Sequence, residues 1–216
     1  MPESVRVRVD LYCPFRGSAA VAAGLLTRDR LYGRRFRRVF PDVYVPATAE
    51  PDLRLRSRAA AVYVGGCGVL VGYSAAELLG ASCAPVDAPA EVTAPAGSRS
   101  PAGLVVHRFR PAPDEVANCD GIPVTTALRT AYDLGRRPDR TEAVVAVDAL
   151  ARGRFGLDEL RELAVVHRGE RGLVRLRAAL ALADPRSGPY QVAVRVHREL
   201  VARGAASPTP VGPPLW

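Results

Sequence analysis

The sequence predicts an α+β protein, with a small basic unit at the N-terminus, a β-rich middle and an α-helical C-terminal half. Three observations predict this. Between Glu91 and Val124 short apolar segments lie between loops and a turn, as strands do. From Thr126 the apolar spacing changes to three and four. Charge follows a similar division. Residues 1–58 carry twelve Arg against six acids, residues 59–127 three against six, and residues 128–216 fifteen against ten, for a net +8.

Composition narrows the function classes. The 216 residues are 48% hydrophobic and 24% charged, which excludes wholesale disorder and a fibrous chain. All 30 basic residues are Arg, while Asn, Gln, Ile and Met are scarce. That is the mark of a GC-rich coding sequence, so the placement of Arg is informative and its total is not. Cys13, Cys67, Cys83 and Cys119 form no CxxC pair, and His107, His167 and His197 lie far apart. A structural zinc site is therefore not expected, nor is any other metal or cofactor. MPESVRVRVD has no apolar core of a signal peptide, so a reducing cytoplasm with free thiols is the expected location.

In chain order, Val5, Val7, Val9 and Leu11 alternate with charged residues and predict a half-exposed strand. Ser18 to Leu25 predicts an Ala-rich helix ended by Gly24. Thr27 can cap a second short helix, Arg28 to Tyr32, closed by Gly33. In RFRRVFPDVYVP, two apolar segments flank Pro41-Asp42 and predict a β-hairpin, with Phe36, Val39, Val43 and Tyr44 anchoring it to a small core. Two short helices followed by a basic hairpin is the order of a compact winged helix-turn-helix, in which the second helix enters a groove and the wing lies along the backbone. The same order also fits a helical hairpin and ribbon that only cap the larger domain.

The run Arg28–Arg38 holds six Arg and one Asp in eleven residues. It reads either as a solvated face or as a phosphate-contacting patch made by Arg28, Arg30, Arg34, Arg35, Arg37 and Arg38. In the second reading Arg30 and Arg34 share a helix face. Arg35 and Arg37 alternate on the strand with Phe36 turned inward.

Residues 53–64 predict a helix with Arg54, Arg56 and Arg58 on its polar side. The eighteen uncharged residues that follow Arg58 approach the length of a membrane span, but Gly65, Gly66, Gly68 and Gly72 break them. They predict a helix end, a glycine turn, a buried strand Val69–Val71 and a new helix, with Ser74 and Glu77 as its capping box. Glu91–Ala94, Leu104–Phe109 and Val116–Val124 around Asp120-Gly121 predict further strands. Helices then follow at 126–137, 140–153, 157–167, 171–184 and 192–203, before a Pro-rich tail expected to be disordered.

The phrases GLLTRDRLYGRRFRRVFPDVYVP, VLVGYSAAELLGA, GLVVHRFR and DGIPVTTALRTAYDLGRR, in this order, resemble the AbiEi-like antitoxins of type IV toxin–antitoxin systems and related actinobacterial transcriptional regulators. The likeness covers roughly residues 15–185. It implies a reduced winged helix-turn-helix with an extra N-terminal strand over 1–50, packed on an AbiEi-like α+β domain over 51–186. It also implies double-stranded DNA, such as a promoter, as partner, together with a cognate toxin, and no membrane. Many relatives continue into a domain resembling very-short-patch-repair endonucleases, opened by a Ser-Pro-x-Glu helix start. Here Gln191 stands where that Glu would be, and residues 187–216 read as a helix and tail, the degenerate start of such a domain.

No catalytic constellation emerges. Arg129 and Asp133 are spaced for an ion pair on one helix. His107 reads as a solvent-facing or satisfied strand histidine, and Ser74 lacks the context of a hydrolase elbow. Asp148, Asp158, Glu159 and Glu162 read as solvating groups on amphipathic helices. The functional readings are a DNA-binding regulator or antitoxin, a protein-interaction module without DNA contact, and a non-catalytic relative of an endonuclease fusion.

Overall fold

The computed structural model describes residues 9–95, 98–186 and 189–202. The protein is α+β and divides into two compact units, 1–126 and 127–216.

The first unit opens with β1 (Phe15–Arg16), α1 (Gly17–Ala22), α2 (Arg28–Leu31), β2 (Phe36–Phe40) and β3 (Val43–Pro46). The strands form an antiparallel sheet in the order β1-β3-β2. Gly24, at φ +71°, lets the chain leave α1, and Thr27 Oγ1 then accepts the Arg30 N–H at 3.3 Å to start α2. Asp42 takes φ +57° in the hairpin turn, a conformation Asp tolerates better than most side chains. The ladder slips between Arg38, opposite Tyr44, and Phe40, opposite Val43, leaving Val39 as the extra residue of a bulge. Phe36 and Tyr44 thereby pack with Phe15, Ala20 and Leu31 on the α1–α2 side. Val39, Phe40 and Val43 join a second core with Ala59 and Ala60 of α3 (Leu53–Val64). The four expected hairpin anchors are all packed, but they divide between two cores. Of the expected strand at Val5–Leu11, residues 1–8 lie outside the described residues, and residues 9–11 are irregular.

Asp52 caps α3 by accepting the Leu55 N–H at 2.7 Å, and Gly65 at φ +63° ends it in a 3-10 turn. Two β pairs complete the unit. β4 (Ala90–Thr93) runs parallel to β5 (Leu104–His107), and β6 (Val116–Cys119) is antiparallel to β7 (Ile122–Thr125). Asp120 and Gly121, both at positive φ, turn the β6–β7 hairpin as a primed turn requires. The predicted strand Val69–Val71 is only a bridge: Leu70 alone pairs with Val92 and with Val124, stitching the two strand pairs together. The predicted capping box is also corrected. α4 (Gly72–Leu78) begins two residues before Ser74, and Ser74 sits buried inside it.

The second unit holds α5 (Ala127–Gly135), α6 (Arg140–Ala151), α7 (Leu157–Val166), α8 (Leu173–Leu182) and α9 (Pro189–Ala202). Asp139 caps α6 by accepting the Glu142 N–H at 2.8 Å. A Cβ on Gly135 would stand 2.5 Å from Leu176, so α5 and α8 meet where there is no side chain. α9 packs through Val192 and Val196 onto Ala143, Val144 and Ala179. It opens at Pro189, three residues before the expected start at Val192, and Gln191 is exposed. Residues 203–216, the expected Pro-rich tail, lie outside the described residues. Among the described residues no helix is long and apolar enough to cross a membrane.

Candidate nucleic-acid interface

The basic patch is built on two short elements with one buried anchor each. α2 buries only Leu31, which leaves Arg28 and Arg30 exposed, and Arg34 and Arg35 lie exposed in the turn before β2. Arg38 projects from β2 opposite Tyr44 and is exposed as well. Among the described residues, none of these five guanidinium groups makes an ion pair or a side-chain hydrogen bond. They therefore repel one another and raise the local positive potential. Arg37 is different. It is half-buried, on the strand face opposite Arg38, and donates to the Ala49 carbonyl at 3.2 Å. That bond ties the hairpin to the chain entering α3.

Tyr44 lies opposite Arg38 in the sheet. Its ring stacks on Phe15 at 6.2 Å and meets Tyr32 edge-on at 6.4 Å. Burial pushes the Tyr44 hydroxyl up from its ordinary pKa, Tyr32 adds to the rise, and Arg38 opposes it.

A second polar site in the same unit centres on Glu91, which sequence reasoning did not single out. The residue is 3% exposed. Oε1 accepts the Tyr73 N–H at 3.0 Å, and Oε2 meets His107 Nε2 at 2.8 Å. Ser74 Oγ accepts the Glu91 backbone N–H at 2.8 Å and a hydrogen bond from Ser57 Oγ at 2.7 Å. Glu91 thus takes over the capping task assigned to the Ser74–Glu77 pair, from a strand 14 or more residues away. The spacing of Glu91 and His107 carried no signal, because it depends on β4 and β5 lying side by side. The reading of His107 as a satisfied strand histidine holds.

The second unit shows the Arg129–Asp133 pair at 2.9 Å and extends it. Arg136 bridges Asp133 at 2.7 Å and Glu170 at 2.6 Å, lying 4.3 Å over the Tyr132 ring. Burial pushes the Tyr132 hydroxyl up to about 12, with Arg136 opposing the shift and Glu170 adding to it. The expected solvation of Asp148 is corrected. This carboxylate is buried, accepts the Asp184 N–H at 2.7 Å and pairs with Arg195 at 2.6 Å. Among the described residues no group of three His, Cys, Asp or Glu is arranged to hold a metal ion.

The sequence pattern of the AbiEi antitoxin C-terminal domain matches residues 65–182, more than half of the chain. The chain belongs to the AbiEi antitoxin family. The matched AbiEi segment runs from the glycine turn after α3 to the end of α8, so it includes the Glu91 site and the Arg129–Arg136 network, while the basic patch precedes it. Uncharacterized proteins of Mycobacterium tuberculosis strains CDC 1551 and H37Rv are each 32% identical to this AbiEi chain over 151 residues. The alignment covers 69% of the chain and 54% of each relative, so the chain spans about half the length of the curated relatives it matches. No solved structure matches the chain.

Proposed function

We propose that this AbiEi-family chain is a DNA-binding regulator of the antitoxin type. In this reading it binds its own promoter through Arg28, Arg30, Arg34, Arg35 and Arg38, represses its operon, counters a cognate toxin and catalyses nothing. Arg37, the sixth residue of the run, holds the wing to the body and contributes little contact.

One observation carries the reading. The order strand, helix, helix, hairpin, with the sheet ordered β1-β3-β2, sets a Thr27-capped helix beside a β-wing, and five unpaired guanidinium groups lie on that helix, its turn and the wing. That order supports reading the segment as a reduced winged helix-turn-helix with its second helix and hairpin turned toward a groove. Guanidinium groups left unpaired in the free protein keep their charge for phosphate, and each contact releases a counterion. Family membership supports the antitoxin part.

The test is a fluorescence-anisotropy titration of duplex DNA at several salt concentrations. Arg30→Ala with Arg34→Ala should lower the slope of log affinity against log salt by about two units. Arg175→Ala with Arg177→Ala, on exposed positions of α8, should leave it unchanged. Equal behaviour of the two double variants, or no duplex binding by the parent protein at low salt, would replace this reading with a protein-interaction module.

A further inference from the structure

Within 28–38, the apolar side chains divide sharply. Leu31 is buried, and Phe36 and Val39 are packed against the two cores. Tyr32 is 70% exposed. It forms the C-cap of α2, between Arg30 and Arg34 in sequence, where the helix hands over to the wing. Its ring is not loose, because it rests edge-on against Tyr44 at an interplanar angle of 60°, and Tyr44 is itself buried against Phe15. Among the described residues of 28–38, Tyr32 is therefore the large exposed ring, held on one side against Tyr44 and flanked in sequence by the exposed Arg30 and Arg34.

The two kinds of group meet different parts of a duplex. Guanidinium–phosphate contacts fix position and carry no sequence information. The hydroxyl of a tyrosine can donate to phosphate, but its ring gains nothing there, whereas the major groove offers the ring one apolar feature, the thymine methyl group. We infer that Tyr32 is the residue through which the patch distinguishes duplex sequences, by setting its ring against a thymine methyl. The inference rests on the DNA-binding reading. It goes beyond that reading by separating the residue that specifies from the residues that attract.

The experiment selects duplexes from a random pool with the full chain, then measures the enriched duplex by anisotropy with each thymine replaced in turn by uracil. The parent protein should enrich a thymine-containing motif. Removing one particular methyl should weaken its binding about fourfold, the worth of one buried methyl group. Tyr32→Phe, which keeps the ring, should match the parent. Tyr32→Ala should lose the thymine preference at that position, keep the salt slope and melt within a few degrees of the parent. No discrimination between thymine and uracil at any position, or discrimination that survives Tyr32→Ala or is lost in Tyr32→Phe, would overturn the inference. So would a Tyr32→Ala protein that melts far below the parent or weakens on every duplex alike, since the ring would then be a support for Tyr44. Failure of the parent to bind any duplex would instead overturn the DNA-binding reading itself.

Discussion

The Asp42 carboxylate accepts two hydrogen bonds from Ser18, from its hydroxyl at 2.5 Å and from its backbone N–H at 2.8 Å. The tip of the hairpin is thus fastened to the first turn of α1, and the Asp42 carbonyl accepts the Gly17 N–H as well. The Asp42 side chain adds to the backbone bond and the shared core that join the hairpin to α1. Asp42→Ala removes both side-chain bonds and places a residue without a polar side chain at φ +57°. The expected loss is about 2 kcal/mol, read from denaturant unfolding, because it combines a lost helix cap with left-handed strain. Asp42→Asn keeps the tolerance for that backbone and should lose about half as much.

Gly72→Ala is the corresponding probe of the Glu91 site. Gly72 has φ +54°, and a Cβ there would stand 2.6 Å from both oxygens of the Glu91 carboxylate. That carboxylate cannot swing aside without leaving the Tyr73 N–H and His107. A destabilisation of about 3 kcal/mol is expected, part from backbone strain and part from the displaced buried charge. Adding Glu91→Ala should bring a further loss well below its loss alone, since the two changes disturb one contact. Simple additivity in a double-mutant cycle would contradict the geometry.

Arg195→Ala should lower the stability of the second unit by about 3 kcal/mol near neutral pH, because it removes the cationic partner of the buried Asp148 carboxylate and leaves it the Asp184 N–H. Burial already holds the Asp148 pKa above its ordinary value, with Arg195 opposing that shift. An acid whose folded pKa is raised favours the fold below its unfolded pKa, and this support is lost as pH rises through the folded value. Without Arg195 the folded value rises further. The penalty should therefore be smallest below about pH 4, where Asp148 holds its proton in either state, and should grow toward neutrality. Melting curves across that range check the sign.

Arg37→Ala and Arg34→Ala should separate along different axes. Arg34 is exposed and unpaired, so its loss should reduce the salt slope of duplex binding by about one unit with little change in melting. Arg37 donates to Ala49, so its loss should lower thermal stability and leave the slope nearly unchanged. The reverse pattern would mean that the hairpin presents its other face to DNA.

Incubation of the purified protein with plasmid and magnesium should give no nicking beyond a mock preparation. Gln191 is exposed at the start of α9, and an amide does not supply the anionic oxygen a hard divalent cation prefers. Nicking that tracks with the protein through purification would overturn this.

What the sequence made legible was local. Thr27 before Arg28, Pro41-Asp42 between two apolar runs, Asp120-Gly121 and the 3.6-residue spacing after Thr126 each depend on neighbours within four residues, and each produced the element it signals. The illegible parts depend on distant partners. Leu70 reads like a strand because it is apolar, yet its pairing is decided by Val92 and Val124. Ser74 and Glu77 have the spacing of a cap, but the helix start is decided by a glycine at positive φ and by Glu91 from the neighbouring strand. The arginine cluster was legible as charge. Which of its members are spent on the fold was not, because the Arg37–Ala49 bond requires the bulged register of the hairpin.

The bulge at Val39 has a consequence for how such a protein can change over evolution. By turning Phe36 toward one core and Phe40 toward another, it makes a single ribbon the shared wall of two rooms. A recombination event that exchanged this segment for that of another protein would have to import both the basic surface and the back of the sheet that fits Ala59 and Ala60. Exchange of the basic surface alone, through point changes at Arg28, Arg30, Tyr32, Arg34 and Arg35, leaves both walls standing. Diversification is then expected to run through substitutions on the outer skin of the ribbon and its helix, with the strands beneath inherited together with α3.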